Sequence, residues 1–151
     1  MTDRRPADPR AGQSLVEFAI VLPIFLLLLF GLIDIGRFVY SVNALGEAAR
    51  EGTRFGSVGA STQGCAGPRE ACIEAVTKAR LAGVPGATAT ASCQRYVAAA
   101  QSPSPVARGG CRTNDLLTVK VEADFEVLTP IIGQLLHTRK ISGTSQVTVN
   151  Q

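Results

Sequence analysis

Four cysteines and one histidine are residues of this sequence that could bind a metal or take part in redox or nucleophilic catalysis. Six, twenty and seventeen residues separate Cys65, Cys72, Cys93 and Cys111, and no C-x-x-C pair is present. This spacing disfavours both a zinc site and a thioredoxin-like redox centre. His137 is the only histidine, and no nucleophile motif surrounds it. Since a glycine-rich phosphate loop is missing too, the sequence predicts a protein that is not an enzyme and needs no metal and no cofactor.

All four cysteines follow an uncharged apolar segment, residues 18–33. This placement suits disulfides on the oxidising side of a membrane. Four cysteines permit three pairings, and the sequence does not decide between them. We expect Cys65 to pair with Cys72 and Cys93 with Cys111, because each bond then closes a short or loop-like segment.

A lone carboxylate, Glu17, stands directly before the apolar segment and five residues after Gly12. As a helix, the sixteen residues 18–33 cover roughly 24 Å of a hydrocarbon core about 30 Å thick. The flanking turns close the gap, which places Glu17 near one membrane interface and Asp34 near the other. A carboxylate at the end of a span can reach the headgroups, so its position alone assigns Glu17 no function. Pro23 lacks an N–H group and predicts a bend or a loosening of this helix.

The charges around the apolar segment predict the orientation of the chain. Three arginines precede it, whereas Asp34 and Arg37 are the first charges after it, so the N-terminus is expected in the cytoplasm and the following domain outside. Pro6 and Pro9 argue against a folded leader, which a peptidase can then reach. The net charge of +3 is not clustered, and a nucleic-acid partner is therefore disfavoured.

A secretory signal peptide is a competing interpretation of the N-terminal region. The apolar segment is slightly long for a signal peptide, and the nearest small-x-small site, residues 42–44, lies about ten residues too far on. The sequence therefore favours an anchor that stays with the protein.

Beyond the apolar segment, the spacing i, i+3, i+4, i+7 predicts an amphipathic helix over residues 35–56. Its apolar stripe consists of Ile35, Phe38, Val39, Val42, Leu45 and Ala49. Its charged face offers two i, i+3 pairs, Glu47 with Arg50 and Glu51 with Arg54. We expect this face to be solvated, with contacts to neighbouring subunits as the alternative. Glycines weaken the helix toward its end, and the polar run 57–64 terminates it.

The remaining chain begins with a second helical pattern. A short helix is predicted over residues 68–82, and its apolar stripe is Cys72, Ala75, Val76 and Ala79. Residues 86–93 alternate Ala and Thr, as in a modest strand. The span 94–113 contains several prolines and glycines and is predicted to be a long loop.

The clearest strand is residues 117–127, in which apolar and polar residues alternate, so that one face is buried and the other is wet. Thr129 is predicted to cap a short helix whose apolar side is Ile131, Ile132, Leu135 and Leu136. We expect that side to pack on the core, with a contact to the membrane surface or a partner as the alternative. Residues 140–149 predict a last strand with Ile141, Val147 and Val149 on one face. A long helix against a small antiparallel sheet gives an α+β fold class.

The stretch GQSLVEF, which begins at Gly12, resembles a type IV prepilin processing site, where a glycine ends a basic leader and a glutamate follows five residues later. The longer run 12–56 resembles the TadE-like proteins, pseudopilins of tight-adherence (Tad/Flp) pilus systems. This resemblance implies that a prepilin peptidase cuts between Gly12 and Gln13 and that Glu17 is retained. The cut creates an α-ammonium at Gln13, one turn from Glu17. A carboxylate that enters an apolar assembly is stabilised when it meets a neighbour's ammonium.

The resemblance also implies the organisation of the chain. Residues 1–12 are a leader that is removed, 13–34 a transmembrane helix, 35–56 its amphipathic continuation, and 57–151 an extracytoplasmic α+β domain. The implied function is that of a minor pilin or pseudopilin in the inner (cytoplasmic) membrane or in the pilus. Its implied partners are a prepilin peptidase, other pilins and pseudopilins, the assembly platform and the lipid bilayer.

The alternative is a signal-anchored, single-pass protein whose exported domain binds a ligand or a surface without assembling into a pilus. The mature N-terminus separates the two interpretations. A protein that begins at Gln13 supports the first, and one with an intact leader supports the second.

Overall fold

The computed structural model describes residues 9–58, 67–97, 102–129 and 139–150. In chain order the elements are α1 (Pro9–Ser57), α2 (Arg69–Arg80), β1 (Thr88–Val97), β2 (Ser102–Pro105), β3 (Leu116–Phe125) and β4 (Arg139–Thr148). Within these residues the strands form one antiparallel sheet in the order β2-β1-β3-β4. The predicted α+β class is confirmed.

Helix α1 is a single element of 49 residues, about 74 Å long. It continues through Pro23, so the predicted bend there stays a prediction. Its start at Pro9 corrects the expectation of an unfolded leader for residues 9–12, which are helical. The first eight residues of the leader lie outside the described part of the chain. Proline suits the first turn of a helix, where its missing N–H group has no intrahelical acceptor in any case. Since one unbroken helix covers both predicted segments, their boundary at residue 34 also stays a prediction.

The hairpin of β1 and β2 shows that the predicted long loop over residues 94–113 is wrong in its first half. β1 continues to Val97, and Tyr96 lies opposite Pro103 of β2. β2 is at the edge of the sheet, where a proline can be accommodated because its missing N–H group can face away from the neighbouring strand. Composition conceals this strand, since prolines are more often a signal for loops.

Strand β3 lies between β1 and β4 and carries the centre of the core. Its predicted alternation is confirmed, with buried side chains at Leu117, Val119, Val121, Ala123 and Phe125. Buried residues of both helices join the same cluster, among them Leu45, Ala48, Ala49 and Phe55 of α1 and Ile73 of α2. The predicted inner face of the last strand is also confirmed, because Ile141 and Val149 are buried and Val147 packs against the cluster.

The buried face of α1 begins later along the helix than its apolar stripe predicts. Ile35 and Phe38 are 62% and 42% exposed, whereas Leu45 and Ala49 are completely buried. The periodicity predicts a common face correctly, but the sheet and α2 cover that face mainly from Ala44 onward. About two and a half turns of helix, residues 35–43, therefore lie between the apolar segment and the packed part of α1.

Helix α2 turns only part of its predicted stripe to the core, because Cys72 is buried and Val76 packs against the cluster, whereas Ala75 and Ala79 do not. Its buried residues are Glu70, Cys72, Ile73 and Thr77, while the predicted Ala75 and Ala79 are exposed. Two polar groups can be buried because each has a hydrogen-bond partner. The Thr77 hydroxyl donates to the carbonyl of Ile73 at 2.7 Å, and the Glu70 carboxylate accepts from the Gly109 N–H at 2.9 Å.

Two glycines of α1 determine how closely the elements of the core approach each other. A Cβ atom on Gly56 would lie 2.3 Å from Leu117 Cδ2 and 2.7 Å from Ile73 Cδ1. A Cβ atom on Gly52 would lie 2.2 Å from the hydroxyl oxygen of Thr77. The sequence suggested only that these glycines weaken the helix. In the structure they let α1 lie directly against α2 and β3.

Several predicted features lie outside the described residues: Cys65, the helix predicted after Pro130 with its apolar residues 131–136, and His137. They stay predictions.

Candidate functional site

The predicted processing residues lie together on an open surface of α1. The side-chain N–H of Gln13 donates to Glu17 Oε1 at 3.1 Å, and both side chains are exposed. This contact follows from the i, i+4 spacing, which brings side chains one turn apart to the same face of a helix. A Cβ atom on Gly12 would meet no atom of the described residues within 4 Å. Gly12, Gln13 and Glu17 are therefore all accessible to another protein.

The apolar segment of α1 is left uncovered by the rest of the described chain. Between residues 15 and 33, the exposed fraction of the large apolar side chains runs from 37% at Leu22 to 70% at Leu15. The helix is long and apolar enough to cross a membrane. The exposed surface is consistent with single-pass membrane anchoring, because lipid can cover these side chains.

Asp34 joins this exposed part of α1 to the folded domain. Its carboxylate is buried and accepts hydrogen bonds from the backbone N–H groups of Leu128 at 3.0 Å and Thr129 at 2.9 Å. The Thr129 hydroxyl donates a third, at 2.6 Å. Sequence reasoning placed Asp34 near an interface but missed these partners, since no local pattern links residues so far apart in the chain. Both the N–H and the hydroxyl of Thr129 therefore donate to Asp34. The helix that Thr129 was predicted to cap lies outside the described residues.

Two aromatic rings strengthen the same junction. The rings of Phe38 and Phe125 meet edge to face, with centroids 5.5 Å apart. The guanidinium of Arg37 lies 5.6 Å from the centroid of Phe125 and 3.5 Å from the Asp34 carboxylate. Such aromatic and cation–π contacts typically contribute about 0.5–1.5 kcal/mol each. The end of β3 is thus fixed against α1 by polar and apolar contacts.

Cys93 and Cys111 are joined by a disulfide, with their Cα atoms 5.6 Å apart. This is one of the two bonds favoured from the sequence, and it ties β1 to the segment after β2. The buried carboxylate of Glu70 lies close to both sulfur atoms. These three groups do not form a metal site here, because the two sulfurs are bonded to each other. Cys72 is buried on α2, and its predicted partner, Cys65, lies outside the described residues.

A buried aspartate, Asp115, organises the chain next to this disulfide. Arg95 donates two hydrogen bonds to its carboxylate, at 2.8 and 2.6 Å, and the N–H of Arg112 donates another at 2.8 Å. The hydrogen bonds from Arg95 are the main reason why the pKa of Asp115 lies below its ordinary value of 3.8, although burial opposes this shift. No local pattern in the sequence links Arg95 to Asp115, which are brought together by β1 and the turn directly before β3.

One of the two predicted ion pairs on the polar face of α1 is present. Arg54 donates to both carboxylate oxygens of Glu51, at 2.8 and 2.9 Å, and Arg80 of α2 lies 3.4 Å from the same carboxylate. Glu51 therefore links the two helices at the surface. Among the described residues, Glu47 and Arg50 do not form the other predicted pair.

In comparisons with known proteins, the part of the chain that matches a family lies in α1. No curated protein and no solved structure matches the chain. Residues 12–54 match the family model of TadE-like proteins. The matched segment contains Gln13, Glu17 and Asp34 and ends within the packed part of α1. Residues 12–54 are therefore similar to the TadE-like family, the family that the sequence of this segment resembles.

Proposed function

We propose that this protein is a membrane-anchored minor pilin or pseudopilin that takes part in the assembly of a tight-adherence pilus. The observation that carries the proposal is the match of residues 12–54 to the TadE-like family, on a helix whose apolar half is exposed. The family suggests a membrane protein related to the Tad pilus. The specific roles of Gly12 and Glu17 are our inference from their place on that helix.

In this proposal a prepilin peptidase cleaves the chain between Gly12 and Gln13. Both residues are helical, so the peptidase must open the first turns of α1 to reach the peptide bond. Glycine is about 1 kcal/mol less favourable than alanine inside a helix, and it makes local opening at Gly12 easier. The accessible surface around Gly12 supports such an encounter.

Cleavage gives Glu17 its role in assembly. The new α-ammonium at Gln13 lies one turn from the Glu17 carboxylate, on the face where their side chains already meet. When the exposed apolar surfaces of two subunits pack together, each carboxylate loses water and is stabilised by a neighbour's ammonium. A pair that is worth little at an exposed surface then becomes costly to break.

The proposed topology follows the positive-inside rule. The leader lies in the cytoplasm, α1 crosses the inner membrane, and residues 57–151 form a domain outside the cytoplasm. The protein then acts through its partners: a prepilin peptidase, other pilins and pseudopilins, the assembly platform and the lipid bilayer. Its role is non-enzymatic, since binding and packing of α1 account for the proposed function.

The mature N-terminus tests this proposal. The full chain is expressed with a prepilin peptidase, and the membrane-bound product is analysed by intact-mass and N-terminal peptide mass spectrometry. We expect a protein that begins at Gln13, and we expect Gly12→Leu to block its formation. Gly36→Leu is the matched control, because it places the same side chain on an open part of the same helix. A wild-type product with an intact leader would favour the signal-anchored alternative, and cleavage of Gly12→Leu at the wild-type rate would contradict the assignment of the site.

A further inference from the structure

An apolar cavity of about 300 Å³ lies where α1 meets the folded domain. Gly31, Ile35 and Phe38 form its wall on the helix, and Phe125, Val127 and Arg139 form its wall on the domain. Among the residues that the structure describes, no polar atom faces its interior.

The position of the cavity along α1 relates it to the membrane. Gly31 belongs to the apolar segment, three residues or about 4.5 Å before Asp34 on the helix axis. Phe38 lies about 6 Å beyond Asp34. With Asp34 at the membrane interface, as the sequence predicts, the cavity extends from the edge of the hydrocarbon core into the headgroup region, which is about 5–8 Å thick on each side.

The carboxylate of Asp34, at the border of the cavity, is engaged in hydrogen bonds with residues outside the cavity wall. Asp34 borders the cavity, but both of its carboxylate oxygens accept hydrogen bonds from Leu128 or Thr129. Arg37 lies next to that carboxylate, at 3.5 Å. The cavity consequently meets apolar side chains and not a free negative charge.

A cation stands at the rim. Arg139 lines the cavity although no polar atom faces the interior, so its aliphatic stem is the part that contributes to the wall. Within the described part of the chain, no carboxylate lies within 4 Å of its guanidinium, and the residue is exposed. An arginine in this position can bind a phosphate group through two N–H groups.

From this geometry we infer that the cavity is a binding site for one membrane phospholipid, in the leaflet next to the folded domain. The upper part of an acyl chain occupies the space between Gly31, Phe38 and Val127, and the headgroup phosphate binds Arg139. An anionic phospholipid is preferred, because basic pockets at membrane surfaces attract negative headgroups. The inference requires that α1 is anchored in a membrane, but it does not require pilus assembly.

The bound lipid gives the junction a physical role. It fills the space between helix and domain that the described residues leave open at Gly31, where a Cβ atom would meet none of their atoms within 4 Å. A domain held by Asp34 on one side and by a lipid on the other keeps a fixed tilt relative to the membrane plane.

The test uses the full chain in vesicles of phosphatidylcholine and phosphatidylglycerol that contain a trace of phospholipid with a photoreactive group in the upper acyl chain. Crosslinked peptides are identified by mass spectrometry. Lipid around the helix labels exposed residues such as Leu32 in any case, so the informative positions are Phe125 and Val127 of the domain. We expect label at these two positions.

Two pairs of variants separate the site from general contact with lipid. Gly31→Phe fills the cavity and should abolish the label on Phe125 and Val127, whereas Gly36→Phe, on an open part of the same helix, should preserve it. Arg139→Gln should remove the preference for labelling by the anionic phospholipid. Lys140→Gln removes a charge from the next residue, which is not part of the cavity, and should leave that preference unchanged. Circular dichroism spectra identify any variant that fails to fold. If a variant of the Gly31 and Gly36 pair does not fold, the inference is tested with the Arg139 and Lys140 pair, and the reverse also holds.

Three outcomes would overturn the inference. The first is label confined to the exposed side of α1, with Phe125 and Val127 unlabelled in the wild type. The second is label on the domain that persists in Gly31→Phe. The third is a photoreactive amino acid at position 31 that crosslinks to residues 131–136 of the same chain or to a second copy, which would assign the cavity to a protein occupant. None of these outcomes bears on cleavage after Gly12, so the inference can fail while the proposed function stands.

Discussion

The carboxylate of Asp34 accepts two hydrogen bonds from Thr129, a residue 95 positions later, at 2.9 Å from the N–H and 2.6 Å from the hydroxyl. This contact joins the end of the apolar segment to the chain that follows β3. It lies where α1 changes from an exposed helix to one that supports a domain. The charge that ends the apolar segment is therefore also a structural connection.

Asp34→Asn should loosen this junction. The amide keeps one acceptor oxygen but loses the charge and the second acceptor, and charge-assisted hydrogen bonds contribute about 1.5–3 kcal/mol. We expect the free energy of unfolding of the domain, measured with denaturant on the full chain in detergent micelles, to fall by roughly that amount. Asp124→Asn is the control, since Asp124 is exposed on β3. Equal stabilities of the two variants would show that the Asp34 contacts do not hold the domain.

Glu17→Gln should separate anchoring from assembly. Membrane insertion should be unharmed, because a charged side chain costs at most about 3 kcal/mol at the centre of a span and less near its end. Association should fail, since an ammonium without its buried partner typically costs about 3 kcal/mol or more. The measurements are the amount of protein in the membrane fraction and its crosslinking to other pilins. Glu47→Gln, on an exposed position of the same helix, should change neither. Wild-type crosslinking of Glu17→Gln would leave Glu17 as a carboxylate that only reaches the headgroups.

Gly56→Ala should destabilise the domain although alanine favours helices. The added methyl group would lie 2.3 Å from a carbon of Leu117, and overpacking of a core typically costs about 1–3 kcal/mol. Gly46→Ala is the matched control, because its methyl group would meet only Arg50, at 3.9 Å. It should be neutral or stabilise by up to about 1 kcal/mol, the difference in helix propensity. Thermal unfolding of both variants measures the difference, and a Gly56→Ala protein as stable as Gly46→Ala would contradict the close packing of α1.

Acid should weaken the region around Asp115. Because the folded state lowers the pKa of this carboxyl, its contribution to stability is complete above the ordinary value of 3.8 and is lost as the pH falls below that value through the lowered pKa. The Asp115→Asn variant lacks this titration. The free energy of unfolding of the wild type, measured between about pH 6 and pH 2, should therefore fall more steeply at the acid end than that of the variant. Parallel profiles would show that Asp115 does not contribute to the acid sensitivity.

The disulfides should be detectable in protein purified from the native membrane. Mass spectrometry without reduction should find the Cys93–Cys111 pair, and we also expect Cys65 paired with Cys72. Replacing Cys93 and Cys111 by alanine should destabilise the domain by about 3 kcal/mol, as for a loop of similar length in the chain-entropy account. Four free thiols would contradict either the topology or the oxidising compartment.

Local patterns of the sequence determined the buried face of β3, the apolar helix and the resemblance to a family. The alternation in β3 predicts its buried face correctly, because successive side chains of a strand point to opposite sides. The uncharged segment before Asp34 likewise predicts a helix that can span a membrane. Gly12 and Glu17, at their fixed spacing, led to the TadE-like family that the comparison of residues 12–54 supports. In each case the signal lies within a few turns or residues of the chain.

Only the tertiary structure decided which surfaces meet. α2 turns Cys72 and Val76 of its predicted stripe to the core but exposes Ala75 and Ala79. It buries Glu70 and Thr77 instead, because both find hydrogen-bond partners. β2 forms despite its prolines because it lies at the edge of the sheet.

Asp34 finds its partners, and the cavity beside Gly31 exists, because β3 ends next to the apolar segment. A periodic pattern reports the shape of one element, whereas these contacts depend on the distances between elements that are far apart in the chain. Those distances are fixed by packing of the whole core and leave no local signal in the sequence.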